Sequence, residues 1–157
     1  MSKTTPATQA LAKAGVPFQL ASYDYDPNAE RVGLQAAEAM GVSPGIVFKT
    51  LMAELDGKPV CAVVPSDEEV NMKKLAAALG GKSAHMMKPA DAERLTGYKV
   101  GGISPLGQRR SVPTAIDELA TLYDEIYLNG GQRGLQIRIG PDDLVRFLGA
   151  RLADLVR

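Results

Sequence analysis

Two stretches of the chain carry residue types and spacings that could do chemistry. Lys49 lies within Ile46-Val47-Phe48-Lys49-Thr50-Leu51-Met52. Strand alternation puts Val47 and Leu51 on its own face and Ile46, Phe48, Thr50 and Met52 on the other. Both faces are largely apolar, so the ammonium lies at an edge, enters a cavity, or reaches water on a packed aliphatic stem. Inside a cavity its pKa would fall unless it met an anion or a carbonyl oxygen. The second stretch, Val100-Gly101-Gly102-Ile103-Ser104-Pro105-Leu106-Gly107-Gln108-Arg109-Arg110, puts three glycines, a proline, a hydroxyl and two guanidinium groups into eleven positions. Glycine permits positive φ and close backbone approach, and Pro105 fixes its own φ. Bare N–H groups beside Arg109 and Arg110 suit an anionic or carbonyl-bearing ligand. Read by itself, the loop is equally a tight connection with a solvated basic end.

Other polar groups have plainer explanations. Cys61, the single cysteine, sits in the apolar run Val60-Cys61-Ala62-Val63-Val64 and reads as a small hydrophobe. It allows no internal disulfide, which fits a reducing compartment. His85 is the only histidine, so no metal-ligand spacing and no Ser-His-Asp or Cys-His set is evident. Asp67-Glu68-Glu69 and Asp142-Asp143 precede helical segments, where carboxylates complement the dipole. Tyr23 and Tyr25 alternate with aspartates, and one hydroxyl could reach a pocket. Lys73-Lys74, Lys99, Arg109-Arg110 and Arg133 could share a basic face or be ordinary solvated charges. Eighteen basic and eighteen acidic side chains give zero net charge, which argues against capture of nucleic acid by whole-molecule charge.

The elements that must position these groups follow from caps, glycines and alternation. Thr5-Pro6 opens a helix that stops at Gly15. Phe18–Tyr23 is a strand, and Ala36, Ala37 and Met40, with Val32, mark a short helix closed by Gly41. Ile46–Leu55 and Pro59–Pro65 flank Asp56-Gly57-Lys58, a hairpin signal. Asn71 caps a helix carrying Leu75, Ala76 and Leu79. Ser83–Met86 is a short strand, and Pro89–Leu95 is a helix stopped by Gly97. Val112–Ile116, Ile126–Leu128 and Gly134–Ile139 are strands. A last helix starts at Asp142-Asp143, and Leu152–Val156 is an apolar tail that should dock. The composition is that of one globular domain, 1–157, and the element mix predicts an α+β fold with a mostly antiparallel, barrel-like sheet and peripheral helices. The polar start, Met1-Ser2-Lys3, and the lack of long apolar runs predict a cytoplasmic protein without membrane contact.

Several separated segments, taken in order, resemble the YbaK/EbsC family, free-standing relatives of the editing domain inserted in bacterial prolyl-tRNA synthetases. They are Thr5-Pro6-Ala7, Ser22-Tyr23-Asp24, Phe48-Lys49-Thr50-Leu51, Thr96-Gly97-Tyr98 leading into Gly101-Gly102-Ile103-Ser104-Pro105-Leu106-Gly107, and Asn129-Gly130-Gly131-Gln132-Arg133-Gly134-Leu135. The resemblance implies an aminoacyl-tRNA deacylase that removes cysteine mistakenly attached to proline tRNA. Cysteine and proline are close in volume, so size alone discriminates poorly between them, and a second, hydrolytic site restores fidelity.

In that reading Lys49 anchors the ester end of the tRNA and the backbone of Gly101 and Gly102 cradles the scissile carbonyl. Tyr23, Phe48, Thr50, Ile103, Ser104 and Pro105 line the substrate pocket, and Arg109, Arg110 and Arg133 meet the tRNA. The substrate's own thiol would be the nucleophile, with positioning and oxyanion donors supplying the catalysis. No cofactor or metal is expected. Gln136 stands where some members have an acidic residue, and it is given no catalytic role. The partners implied are aminoacylated tRNA(Pro) and prolyl-tRNA synthetase in a ternary complex, with the protein itself a monomer. Two alternatives stay open: a deacylase for Ala-tRNA(Pro), and a non-catalytic module that binds tRNA or the synthetase.

Overall fold

The computed structural model describes residues 4–28 and 32–156. The start at Met1–Lys3 and the packing of the Val32 side chain lie outside what is described. A hairpin organises the larger sheet: β2 (Phe48–Leu55) and β3 (Lys58–Pro65) pair from Phe48↔Pro65 to Leu55↔Lys58. Asp56 and Gly57 take φ of 51° and 83° between them, the left-handed pair that a two-residue hairpin turn requires. β4 (Ala84–Met86) pairs with the far end of β2. On the other side β5 (Thr114–Asp117) lies parallel to β3, and β8 (Arg151–Ala153) lies parallel to β5. The smaller sheet is antiparallel, with β7 (Leu135–Ile139) between β1 (Gln19–Ser22) and β6 (Ile126–Asn129).

Among the described residues one isolated bridge, Val47↔Tyr127, links the two sheets. The fold is therefore α+β with mixed sheets. The expected barrel is not closed, and the parallel β3–β5–β8 run departs from a purely antiparallel arrangement.

One core spans both sheets. Phe48, Met52, Cys61, Val63 and Ile116 of the larger sheet pack with Leu128, Ile137 and Ile139 of the smaller. Leu11 of α1 (Pro6–Ala14) and Leu144 of α5 (Pro141–Leu148) complete it. The opposite face of the hairpin, with Ala53, Val60, Ala62 and Val64, is covered by Leu75 of α3 (Met72–Ala78) and by Leu155. β3 is thus buried on both faces, which explains its uninterrupted apolar run. Each fully buried leucine contributes about 2 kcal/mol of burial free energy.

Caps fix the helix starts as the sequence indicates. The Thr5 hydroxyl accepts from the Thr8 amide at 3.1 Å and donates to the Gly130 carbonyl at 2.6 Å, tying α1 to the β6–β7 connection. Asn71 accepts from the Lys73 and Lys74 amides.

Several elements differ from expectation, most by a residue or so at an end. A 3-10 turn over Pro44–Ile46, capped by Ser43, delays β2 to Phe48. A second, Glu118–Leu122, is capped by Asp117 and was not foreseen from periodicity. β5 starts at Thr114 rather than Val112. The tail docks, as Leu155 and Val156 are buried and the Asp117 carboxylate accepts from the Leu155 amide at 2.8 Å. Among the described residues no helix is long and apolar enough to cross a membrane.

Candidate active site

The pairing of β2 leaves a gap at its edge. β4 covers only Ala53–Leu55, and β6 touches at Val47. The Met87 amide donates to the Met52 carbonyl at 3.1 Å on that edge. Because amide direction alternates along a strand, the Thr50 N–H and C=O leave β2 on the same side. A pocket of about 430 Å³ lies against this open stretch. Phe48, Lys49, Thr50 and Met52 form its strand wall, while Val100, Gly101 and Ile103 face them across it. Met86, Met87 and Ala92 of α4 (Pro89–Thr96) make a lip, Asn129 and Gln136 line the end formed by β6 and β7, and Glu69 stands exposed at the rim.

The glycine loop is held by distant groups. Gly101 has φ of 90°, and a Cβ on it would come 2.8 Å from the Tyr25 hydroxyl. A Cβ on Gly102 would sit 3.0 Å from the Arg133 amide nitrogen. Asn129 uses both ends of its amide, donating to the Gly101 carbonyl at 3.0 Å and accepting from the Gly131 N–H at 2.7 Å. Arg133 donates through Nε to the Val100 carbonyl at 2.9 Å and lies 5.5 Å from the centre of the Tyr25 ring. Behind the loop, fully buried Ser104 accepts from the Leu106 amide, and Tyr98 donates to the Leu106 carbonyl at 2.6 Å. Burial pushes the Tyr98 hydroxyl up to about 12, against a small opposing effect of the Ala7 amide, so it stays a donor.

The fold brings five of the expected site residues into one pocket: Phe48, Lys49, Thr50, Gly101 and Ile103. Lys49 is half-buried there. Gly102, Ser104 and Pro105 lie buried behind the loop and shape it. The Gly102 N–H donates to the Lys99 carbonyl at 2.8 Å, so it is not available for a carbonyl cradle, and of the two glycines Gly101 is the one at the pocket. Tyr23 packs with Ala36, Ala37 and Val47 away from the lining, and burial of its hydroxyl raises its pKa. Arg133 serves as a clamp on the loop. Arg109 and Arg110 lie in a separate shallow groove with Glu54, Asp91 and Arg94, and Met87 borders both hollows.

Cys61 is fully buried and its thiol is pushed up to about 12 by desolvation, so it is a packing residue rather than a nucleophile. His85 is exposed and lies 3.1 Å from Glu54. No cluster of three metal-ligating side chains occurs among the described residues.

Sequence reasoning missed Asn129 as the tie on the loop and set Gln136 aside. Gln136 is 3% exposed and its amide oxygen has no hydrogen-bond partner. The Thr50 hydroxyl oxygen is likewise enclosed and unpartnered. Alternation of Leu135, Ile137 and Ile139 with Gln136 and Arg138 marks the latter pair as the polar face. Only the pairing of β7 with β1 and β6, which sets Gln136 between Ala21 and Asn129, shows that this polar position is enclosed.

The aminoacyl-tRNA editing domain profile matches residues 26–147. EbsC of Enterococcus faecalis, named for Cys-tRNA(Pro)/Cys-tRNA(Cys) deacylation, is 33% identical over 153 residues, spanning 96% of this chain and 92% of its own. The multifunctional Ser/Thr-tRNA deacylase ProXp-y of Escherichia coli is 25% identical over 152 residues, 94% of this chain and 89% of its own. A crystal structure described as that of a trans-editing enzyme for prolyl tRNA synthetase superposes with a TM-score of 0.84 at 25% identity, covering 97% of this chain and 95% of the other.

Proposed function

The chain belongs to the aminoacyl-tRNA editing domain family, and from that premise we propose that it is a trans-acting deacylase, one editing domain over residues 1–157, that clears mischarged Cys-tRNA(Pro). The observation that carries the reading is the shared pocket, in which the half-buried Lys49 and the Gly101 backbone line one enclosure at the open edge of β2. The 3′ end of the tRNA enters this pocket. Lys49 offers a cation to the ester or an adjacent phosphate, and the loop around Gly101 and Ile103 presents backbone to the carbonyl.

For a cysteinyl ester, the substrate thiolate adds to the carbonyl carbon. A C–S bond forms, the C–O bond to the ribose breaks, the thiol proton ends on the ribose oxygen, and a four-membered thiolactone leaves with free tRNA. The protein's part is positioning and charge stabilisation. That role suits a pocket whose lining, among the described residues, contains neither cysteine nor histidine. Specificity for proline tRNA comes from joint binding with prolyl-tRNA synthetase in the cytoplasm, because a chain of zero net charge has little electrostatic pull on tRNA by itself. The enzyme works as a monomer in that complex.

The test is a deacylation panel of Cys-, Ser- and Ala-tRNA(Pro) with wild type and Lys49→Ala. We expect wild type to deacylate Cys-tRNA(Pro), and Lys49→Ala to fold yet lose deacylation by two or more orders of magnitude, about 3 kcal/mol of lost transition-state stabilisation. Alkylating the cysteinyl thiol should abolish turnover. Full activity in Lys49→Ala, or undiminished hydrolysis of the blocked ester, would falsify the respective role. Gel filtration of protein, synthetase and tRNA should show a ternary complex, and tight binding of tRNA to the protein alone would contradict the joint-docking scheme.

A further inference from the structure

Resting on the deacylase reading, we propose that Met86 and Val100 form an apolar platform at the pocket mouth, against which the base of the 3′-terminal nucleoside lies by its face. Among the described residues five large apolar side chains are exposed: Leu20, Met86, Val100, Leu122 and Leu152. One such residue standing alone needs no explanation. Two of the five, Met86 at 48% and Val100 at 43% exposure, line the same pocket from different segments. Both are anchored through the backbone. The Val100 N–H donates to the Glu93 carboxylate at 2.8 Å, and the Val100 carbonyl accepts from Arg133 Nε at 2.9 Å. Met86 pairs with Ala53 in the β2–β4 ladder, and the next amide, that of Met87, donates to the Met52 carbonyl. Anchoring of this kind lowers the ordering cost when a ligand covers the exposed side chains.

The chemistry of an aminoacyl-tRNA end indicates which group covers them. Its ribose and phosphates are polar, and its amino acid is joined at the ester beside Lys49. The base is the one group with a broad apolar face. Opposite residues of an antiparallel pair project to one side of the sheet, so Met86 shares the side of Lys49, Leu51 and Ala53. Four residues at about 3.3 Å each set the Ala53–Met86 step roughly 13 Å along the strand from Lys49. A ribose, its base and the two side chains bridge that gap. Phe48, the aromatic side chain of the described lining, is 2% exposed and cannot stack on a base. The contact is therefore a thioether and a branched aliphatic group against a π-face, a favourable partner for sulfur. Such a contact reads the face of a base and not its edge. Two side chains are far too little surface for a protein partner, which needs about 800 Å² on each side.

Affinity for the stable 3′-cysteinylamide of adenosine, and for the same ribose amide without a base, tests this apart from the chemical step. Wild type should bind the adenosine amide about tenfold more tightly than the base-free one. Met86→Gln and Val100→Thr keep similar shapes while replacing apolar surface with polar. Each should lower that ratio about threefold, and the double variant should bring it close to one with affinity for the base-free amide unchanged. The two positions lie on separate elements, so if one single variant fails to fold, the other decides. An inosine amide should bind within about twofold of the adenosine amide, because every base has a π-face. A ratio of one in wild type, a ratio kept in the folded variants, an equal loss for both ligands, or a large loss with inosine overturns the proposal. If wild type deacylates aminoacyl-tRNA but gains nothing from the base, only this inference fails. If it neither binds any analogue nor deacylates any ester, the deacylase reading fails with it.

Discussion

A Cβ built on Gly57, in the β2–β3 turn, would meet nothing within 4 Å, whereas one built on Gly107, at the end of the pocket loop, would lie 2.4 Å from the Pro6 carbonyl oxygen. Both glycines have positive φ, 83° and 65°. In the turn, glycine answers a local demand of the backbone, and the neighbouring residues are enough to explain it. In the loop it answers a second demand as well, the close approach of α1. Gly101, with φ of 90°, meets both demands against Tyr25, and Gly102 meets the second alone against the Arg133 backbone. The turn glycine is therefore set by its own neighbours, and the glycine-rich loop by segments distant in sequence, Pro6 against Gly107 among them.

The comparison is tested most severely at Gly107. Gly107→Ala incurs left-handed strain and also presses a methyl group into backbone that cannot move like a side chain. It should cost about 3 kcal/mol or more in urea unfolding. A loss near 1 kcal/mol would mean that α1 shifts freely and that the loop is not clamped there. Next in size is Asn129→Leu, which strands the Gly101 carbonyl and the Gly131 N–H. It should destabilise by about 2 kcal/mol and lower deacylation further than stability accounts for, because the Gly101 wall of the pocket loosens. Retained activity at full loop mobility, read by hydrogen exchange, would separate loop order from catalysis. Gly57→Ala has only the left-handed strain to bear, about 1 kcal/mol, with deacylation at neutral pH unchanged.

The same division accounts for what could be read from the sequence. Thr5-Pro6, Asn71, Asp56-Gly57 and the alternation in Leu135–Ile139 are local signals, and the elements they announce are present. The β2–β3 hairpin brings Lys49 and Thr50 onto adjacent positions of one strand, so their placement is also a local matter. Opening of the β2 edge is not, since it depends on β4 stopping at Ala53 and β6 touching at Val47. Gln136 looked like the polar half of an amphipathic strand because nothing nearby in sequence says that the loop at Gly101 and the edge of β2 enclose it. Arg133 and Arg109, similar as charges in a sequence, part in space: one clamps the loop and the other lines a neighbouring groove. The resemblance to the editing family singled out Lys49 and the loop at Gly101, which composition and periodicity left open.

The smallest effect is expected at Asp56, and its sign can be worked out. Its carboxylate accepts from the Lys82 amide at 3.0 Å and the Ser83 amide at 2.9 Å, so even the local turn has one distant tie. Those two backbone hydrogen bonds hold its pKa below the ordinary value of 3.8. A carboxyl depressed in the folded state contributes stability that is complete above its unfolded pKa and is lost as pH falls through the folded value. Wild type should therefore lose urea resistance between neutral pH and the region below 3.8, and part of that loss should vanish in Asp56→Asn. Asparagine tolerates the φ of 51° and keeps one acceptor oxygen, so the turn itself survives and the pocket, at the other end of β2, keeps its activity at neutral pH. Parallel pH profiles for the two proteins would show that the carboxylate tie contributes nothing. The Asp56–Gly57 turn would then be the wholly local structure that its sequence suggests.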